Sequence, residues 1–366
     1  MSDNYGGTEA IIYGIYEHLD HSKIQFDFLN VYGHPIARQD ELIAQGAHVY
    51  DLLLKRREGY FKYIRGIKEF YKQHAKEFDA VVCNVQCLDQ IDMAKYAKKF
   101  GVKKTVVHVH NSGNGIKASR LADFAIRMNK AHCHRYVDLF LACSKNAAKW
   151  GFRKQDASKT IIVNNGLDIS SMSFSGTKRE AFRDKYHFSK EDRIYASAGR
   201  LDPQKNQFFL IDIFEHIHQK DPQAKFVLLG NGPLRNQIQS RINDSSAKSS
   251  MLLINRIDDI GSFYSGIDAF VLPSLFEGLG MVLLEAQCSG LPCYASADTI
   301  PEEACVLKSF RFIPLSLGPE KWASQILNDQ LAFSNREEAA KFLVEAGRDI
   351  RDTSRFYSSL FLGDQQ

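Results

Sequence analysis

A chain of 366 residues, 44% hydrophobic and 25% charged, has the composition of a soluble globular protein and the length for two ordinary domains, each able to bury a core; a disordered chain is excluded. No apolar run of about 18 residues predicts a membrane-spanning helix, and the opening MSDNYGGTEA lacks the basic region and apolar stretch of a signal peptide. The net charge of +4 is uneven: residues 1–160 hold 25 Lys and Arg against 17 Asp and Glu (+8), and the remainder 22 against 26 (−4).

Along the first half, short apolar runs predict buried strands at 24–31, 78–85, 104–110 and 137–144. A helical pattern at 88–101 stops at Gly101, a usual helix end. Within 55–76 stand eight basic residues and two acids, interleaved with Tyr60, Phe61, Tyr63, Phe70 and Tyr71. That pattern suits a solvated helix, an anionic membrane surface or a nucleic acid. The polar stretch 164–180 reads as a linker. Beyond it, strands are predicted at 193–199, 225–230, 249–255, 268–274 and 291–296, with helices at 206–220, 234–243, 260–266 and 281–290. The end, from about 335, reads as helices alone. Alternating strands and helices predict parallel sheets, whose ligands bind beyond the carboxyl ends of the strands. Two such domains facing each other would make a cleft. The seven cysteines, mostly in apolar surroundings, suit reduced, buried thiols better than a disulfide framework. His132, Cys133 and His134 with Cys83 and Cys87 match no zinc spacing.

The chemistry belongs in three loops. In AGRLDPQKNQ (198–207), Arg200 and Lys205 stand between a strand and a helix start, either as solvated charges or as an anion site suited to a diphosphate. In LLGNGPL (228–234), Gly230 and Gly232 make a strand–helix turn that is either a ligand approach or plain tight packing; the third glycine of a dinucleotide motif is missing. In FEGLGMVLLEA (276–286), Glu277 and Glu285 flank a glycine turn and a helix start. Helix N-termini favour phosphate, whereas carboxylates are poor phosphate ligands and good acceptors for sugar hydroxyls. A diphosphate with hydroxyls on both sides, a nucleotide-sugar, answers that pattern.

These segments together resemble the retaining glycosyltransferases of family 4, which have the GT-B fold. FEGLGMVLLEA is similar to that family's glutamate–seven residues–glutamate signature, GRLDPQKN and GNGPL to two further signatures, NNGLD (164–168) to its linker entry, and VHVHNS (107–112) and YGGTE (5–9) to its N-domain loops. The matches run in the family's order, and 258–303 looks closest to the branch that builds bacterial exopolysaccharide and capsule. The resemblance implies two Rossmann-like parallel-sheet domains facing across a cleft: 1–170 on the acceptor side, 171–344 for the donor, and a closing helix, 345–366, crossing back. Arg200 and Lys205 would hold and stabilise the leaving diphosphate, Glu285 would bind ribose hydroxyls, and Glu277 would contact the hexose. Gly278, Leu279 and Gly280 would line the donor with backbone, Asn231 would join them, and the region around Arg256 would receive the base. The family's N-domain histidine near the transferring sugar maps onto His110, with His108 second, and Gly6 and Gly7 onto its glycine loop. Only five residues precede Gly6 where the family has a strand of some ten, so the sheet is expected to lack a strand or the start to lie upstream.

The chain contains no Asp-x-Asp pair to bridge a metal to a diphosphate, so metal independence is expected, with no cofactor besides the nucleotide-sugar substrate. A front-side mechanism is implied, with Glu277 not a nucleophile. The expected partners are a nucleotide-sugar, taken as UDP-linked, and a lipid-linked saccharide, met in the cytoplasm at the inner face of the cell membrane, where 55–76 would dock. Rival readings are a nucleotide-sugar epimerase on the same fold, a nicotinamide oxidoreductase (disfavoured for want of its glycine fingerprint), and a non-catalytic nucleotide-sugar binder. A nucleic-acid binder is weakest, since the basic stretch is local and the total charge nearly balanced.

Overall fold

The computed structural model describes residues 6–52, 59–88, 91–113, 120–329 and 335–362. The chain forms two compact units, Met1–Gly166 with Ile350–Gln366, and Leu167–Asp349.

The first unit runs α1 (Gly7–Glu17), β1 (Phe28–Asn30), α2 (Gln39–Ala44), β2 (Val49–Asp51), α3 (Tyr60–His74), β3 (Ala80–Val85), α4 (Asp92–Lys99), β4 (Lys104–Val109), α5 (Arg120–His132), β5 (Leu139–Ala142), α6 (Lys145–Gly151), α7 (Lys154–Ala157) and β6 (Ile161–Ile162). Its strands make two parallel sheets, β1-β2 and β3-β4-β5-β6. Among the described residues no strand precedes α1. The strand expected over 24–31 is confined to Phe28–Asn30, and Asn30 ends it by turning the chain. Its side chain donates to the His34 carbonyl (2.8 Å) and to Asp51 Oδ1 (2.6 Å), and accepts from the Tyr32 N–H (3.0 Å).

In α3, Tyr63, Ile64, Ile67, Phe70 and Tyr71 recur at helical spacing and are buried. The opposite face exposes Phe61 (90%), Lys62, Arg65, Lys68, Glu69 and Lys72. The basic cluster 55–57 that precedes it lies outside the described residues.

The second unit runs α8 (Ile169–Met172), α9 (Gly176–Lys185), β7 (Arg193–Ala198), α10 (Gln207–Lys220), β8 (Ala224–Leu229), α11 (Arg235–Asn243), β9 (Met251–Ile254), α12 (Ile260–Gly266), β10 (Ala269–Leu272), α13 (Met281–Cys288), β11 (Cys293–Ser296), β12 (Phe310–Ile313), α14 (Gly318–Asn328) and α15 (Ala339–Glu345). The linker expected at 164–180 is mostly α8 and α9 of this unit. The polar residues that suggested a loop are helix caps: Asp168 accepts from the Ser170 and Ser171 N–H groups, and Ser175 from that of Lys178. The chain then enters α16 (Ile350–Leu362), part of the first unit. There Ser354 Oγ donates to the Ile15 carbonyl (3.1 Å), and Lys104 Nζ to that of Leu360 (2.5 Å). Gly14 makes room for this helix, since a Cβ would stand 2.7 Å from Ile350 Cγ1.

The second sheet is parallel with order β12-β11-β10-β7-β8-β9. The chain starts in the middle at β7, builds outward through β8 and β9, then returns to the other side of β7 with β10. The switch point is therefore the β7–β10 pair, where Ala269 lies beside Tyr195 and Phe270 beside Ala196. Crossovers on either side of such a point leave in opposite directions, which opens a crevice at the strands' carboxyl ends. Phe214, Phe226, Ile211, Val271 and Trp322 pack the core on one face of this sheet.

Candidate active site

The loops after β7 and β10 share the switch point and are tied together. Gln204 donates through Nε2 to the Phe276 carbonyl (3.0 Å) and accepts the Leu275 N–H (2.8 Å) at its own carbonyl. Asn206, in the left-handed region at φ 55°, donates to the Pro273 carbonyl (3.1 Å). A non-glycine residue held there implies a loop whose shape is fixed by its surroundings. From the far side, the Ser296 and Thr299 hydroxyls donate to the Ser274 carbonyl (2.5 and 2.8 Å), and the Glu277 N–H donates to the Thr299 carbonyl (3.0 Å).

These ties bring Lys205 Nζ to 2.6 Å from Glu277 Oε1, with the two side chains 16% and 7% exposed. Arg200 is different: its side chain is 69% exposed, with Nε at 2.5 Å from Asp202 Oδ2. Asp202 in turn accepts the Lys205 N–H and shapes the turn between them. An unshared guanidinium edge and a largely buried ammonium thus lie on one loop.

The turn after β10 ends at Gly280, in the left-handed region at φ 85°, and α13 follows with no side-chain cap. Its first N–H groups carry the partial positive charge of a helix start. Leu279 is buried, so its side chain belongs to the core and only its backbone is at issue. Inside α13, Glu285 Oε2 accepts from the Tyr264 hydroxyl (2.6 Å). Burial raises the Glu285 carboxyl above its ordinary range, against the opposing pull of Tyr264 and the Lys205 charge.

Gly230 and Gly232 resolve their open reading in favour of packing. A Cβ on Gly230 would lie 1.9 Å from the Gly199 carbonyl oxygen, and one on Gly232 2.4 Å from that of Leu201. The Leu201 N–H donates to the Asn231 carbonyl (2.9 Å) and the Leu234 N–H to that of Leu201 (3.0 Å). These glycines let the loop after β8 close on the loop that carries Arg200.

Residues 178–312 match the family Glycosyl transferases group 1. The chain is 26% identical over 352 residues to the putative glycosyltransferase EpsF of Bacillus subtilis (strain 168), spanning 95% of this chain and 91% of that protein. It is 28% identical to the Escherichia coli UDP-Gal:alpha-D-GlcNAc-diphosphoundecaprenol alpha-1,3-galactosyltransferase, over 60% of this chain and 63% of that one. Residues 178–312 thus carry the pattern of the group 1 glycosyltransferases. The chain's fold is GT-B, as in the crystal structure of Anabaena HepE in complex with UDP and glucose, which superposes with a TM-score of 0.77 at 18% identity over 99% of this chain and 98% of that one.

The remaining expected site residues vary in setting. Asn231 is exposed, and its side chain accepts the Gly232 N–H (2.8 Å). Arg256, in the loop after β9, has a side chain 84% exposed, with the fully exposed Asp258 3.8 Å away. In the first unit, Gly6 and Gly7 open α1, where Glu9 accepts the Gly6 N–H (3.3 Å). His110 follows β4 and is buried; its Nε2 donates to Asn84 Oδ1 (2.8 Å), and among the described residues Nδ1 has no hydrogen-bond partner. Burial pushes its pKa down to about 3, so the ring is neutral at physiological pH. His108, its ring 3.9 Å away, sits wholly in the core with Nδ1 2.5 Å from the Tyr357 hydroxyl of α16. His108 therefore fastens the last helix to the sheet. Among the described residues no three His, Cys, Asp or Glu gather in a way that could hold a metal ion, and Cys83 and Cys133 are buried thiols.

Sequence reasoning missed Gln204, Asn206, Tyr264 and Thr299. Their partners lie 21 to 73 residues away or, for Thr299, across a strand, so no local pattern marks them.

Proposed function

We propose that this glycosyltransferase is a retaining, metal-independent enzyme that moves a hexose from a UDP-sugar to a lipid-linked oligosaccharide in bacterial exopolysaccharide or capsule synthesis. The observation that carries the donor reading is the Lys205–Glu277 pair (2.6 Å) at the switch point, beside the uncapped start of α13. Fixed cations and helix N–H groups suit a diphosphate, and the flanking carboxylates suit hydroxyls on either side of it. Arg200 and Lys205 would stabilise the leaving diphosphate electrostatically, as a metal does elsewhere. The front-side retaining course rests on the family resemblance. The UDP and glucose of the HepE complex, and the diphosphoundecaprenol in the name of the E. coli relative, support the choice of donor and acceptor.

The test is calorimetry and thermal shift of the purified chain against UDP, GDP, ADP and NAD in EDTA, followed by a UDP-sugar panel with lipid-linked acceptors. UDP binding that survives EDTA, then transfer, supports the proposal. Selective GDP or ADP binding changes the donor. Donor conversion without acceptor makes the protein an epimerase, and binding without any turnover makes it a binding protein.

We further propose peripheral docking on anionic membrane. Among the described residues no helix is long and apolar enough to cross a membrane. The outer face of α3 combines Phe61 with Lys62, Arg65, Lys68 and Lys72. Each basic side chain near an anionic surface contributes about 1 kcal/mol. Reversing Lys62 and Arg65 to Glu should therefore lower binding to vesicles containing phosphatidylglycerol more than tenfold. Equal binding by the variant removes α3 from the docking surface.

A further inference from the structure

We infer that Tyr264 is a positioning residue that holds Glu285 in place to accept the hydroxyls of the donor's ribose; the inference rests on the donor reading proposed above. Tyr264 is wholly buried on α12, with its ring between Phe263 (5.1 Å) and Phe270 (5.9 Å). Its hydroxyl donates to Glu285 Oε2 at 2.6 Å. Among the described residues, Oε1 of the same carboxylate has no hydrogen bond. One oxygen is anchored and the other is offered.

The anchor is itself braced. Arg336 donates through Nη2 to the Tyr264 carbonyl (2.8 Å) and through Nε to the Ser289 carbonyl (2.8 Å), just past the end of α13. Its Nη1 donates to the Ile267 carbonyl (3.0 Å), and its guanidinium lies 4.3 Å from the centre of the Phe174 ring. One guanidinium thus ties the helix that carries Tyr264 to the helix that carries Glu285. Fixing an acceptor before the ligand arrives removes the ordering cost that a free carboxylate would meet on binding.

Three titratable groups face Glu285. Tyr264 stays a neutral donor because burial raises its hydroxyl far above the ordinary range, and Cys288, on the same helix, is a thiol pushed up to about 12. Lys205, from the loop after β7, is the charge that favours the carboxylate. Removing the Tyr264 hydroxyl therefore leaves burial less opposed, and Glu285 should take up its proton at higher pH.

The experiment is calorimetric titration of the full chain with UDP and with 2′,3′-dideoxy-UDP between about pH 5 and pH 8, for wild type, Tyr264→Phe, Glu285→Gln and Glu285→Asp. The part of the acid-side loss of UDP affinity that is absent in Glu285→Gln belongs to Glu285. In Tyr264→Phe that part should move up by roughly one pH unit, and the preference for UDP over the dideoxy nucleotide should fall severalfold. Glu285→Asp keeps the charge but withdraws it from Tyr264, and should lose the same preference. A Tyr264→Phe curve that overlays wild type while Glu285→Gln binds weakly reduces Tyr264 to packing. An aspartate variant with full ribose preference overturns the positioning role by a second route. Unaltered UDP binding by Glu285→Gln at every pH overturns the ribose reading itself, and the inference with it.

Discussion

Lys205→Ala removes one side of an ion pair that is largely withdrawn from water. The comparison within this chain is Lys103–Asp79, also at 2.6 Å but with side chains 79% and 87% exposed. Such a surface pair contributes about 0–1 kcal/mol. At Lys205–Glu277 the side chains are 16% and 7% exposed, so alanine takes the cation away from a carboxylate that water barely reaches. Breaking a buried pair this way costs about 3–5 kcal/mol. Gln204 Nε2, at 3.4 Å from Glu277 Oε2, remains a weak donor to that carboxylate and lowers the cost to about 2–3 kcal/mol. For a unit the length of Leu167–Asp349 that corresponds to a drop in Tm of about 4–12 °C. The chain has two tryptophans, Trp150 in the first unit and Trp322 in the second. Urea unfolding in a Trp150→Phe background therefore reports on the second unit alone. Adding Glu277→Gln removes the negative charge that Lys205 had balanced and should recover most of the loss. If the two single changes and the double change add within about 0.5 kcal/mol, the pair is not coupled and the reasoning fails. The same alanine should weaken UDP binding about 10- to 100-fold, the worth of one charge-assisted hydrogen bond to phosphate; equal affinity would take Lys205 out of the diphosphate site.

Glu277→Ala should abolish hexose transfer while the fold survives, because the Lys205 left behind retains some access to water; transfer at the wild-type rate, measured with radiolabelled donor, would refute its role. Gly230→Ala places a Cβ 1.9 Å from the Gly199 carbonyl at a backbone φ of 151°, and should cost about 3 kcal/mol or more in urea unfolding of the second unit. A stable alanine variant would mean that the two loops are not closed on each other. His108 and His110 are buried neutral, the latter with its pKa near about 3, whereas unfolded histidine takes up a proton below about 6.5. The first unit should therefore lose stability as pH falls from about 6.5, by up to about 1.4 kcal/mol per pH unit for each ring, until the native pKa is reached. His110→Gln should remove one ring's share of that slope, followed by Trp150 fluorescence in a Trp322→Phe background; an unchanged slope refutes the assignment.

The second unit was the more legible half. Its strands are short continuous apolar runs closed by Gly199, Gly230 or Pro273, and buried parallel strands leave that signature. The candidate residues Arg200, Lys205, Glu277 and Glu285 stand in or after those punctuated turns, so reading the turns points to them. What sequence could not give was strand order: only the pairing of β7 with β10 brings the loops 70 residues apart into one place. The linker read at 164–180 does hold the boundary between the units, after Gly166, but the helices that follow were missed because Asp168 and Ser175 look like loop residues until their side chains are seen capping helices. The strand read at 24–31 forms only over Phe28–Asn30, and its end could not be read because an apolar run does not reveal that Asn30 will spend its side chain on turning the chain. Two-residue β6 and three-residue β2 carry too little pattern to be read at all.

The arrangement of the second unit also explains why its charges are so close to one another. A lone Lys205 or a lone Glu277, at these exposures, would be costly to keep ionised. Paired, each is the other's counter-ion, and the network through Gln204, Thr299 and Ser296 fixes the geometry while the site is empty. A ligand that offers phosphate to the ammonium and hydroxyls to the carboxylate replaces one set of partners by another and leaves neither charge stranded. A ligand with only phosphate, or only hydroxyls, satisfies one member and deprives the other. A molecule that carries both chemistries, as a nucleotide-sugar does, serves both members of the pair at once.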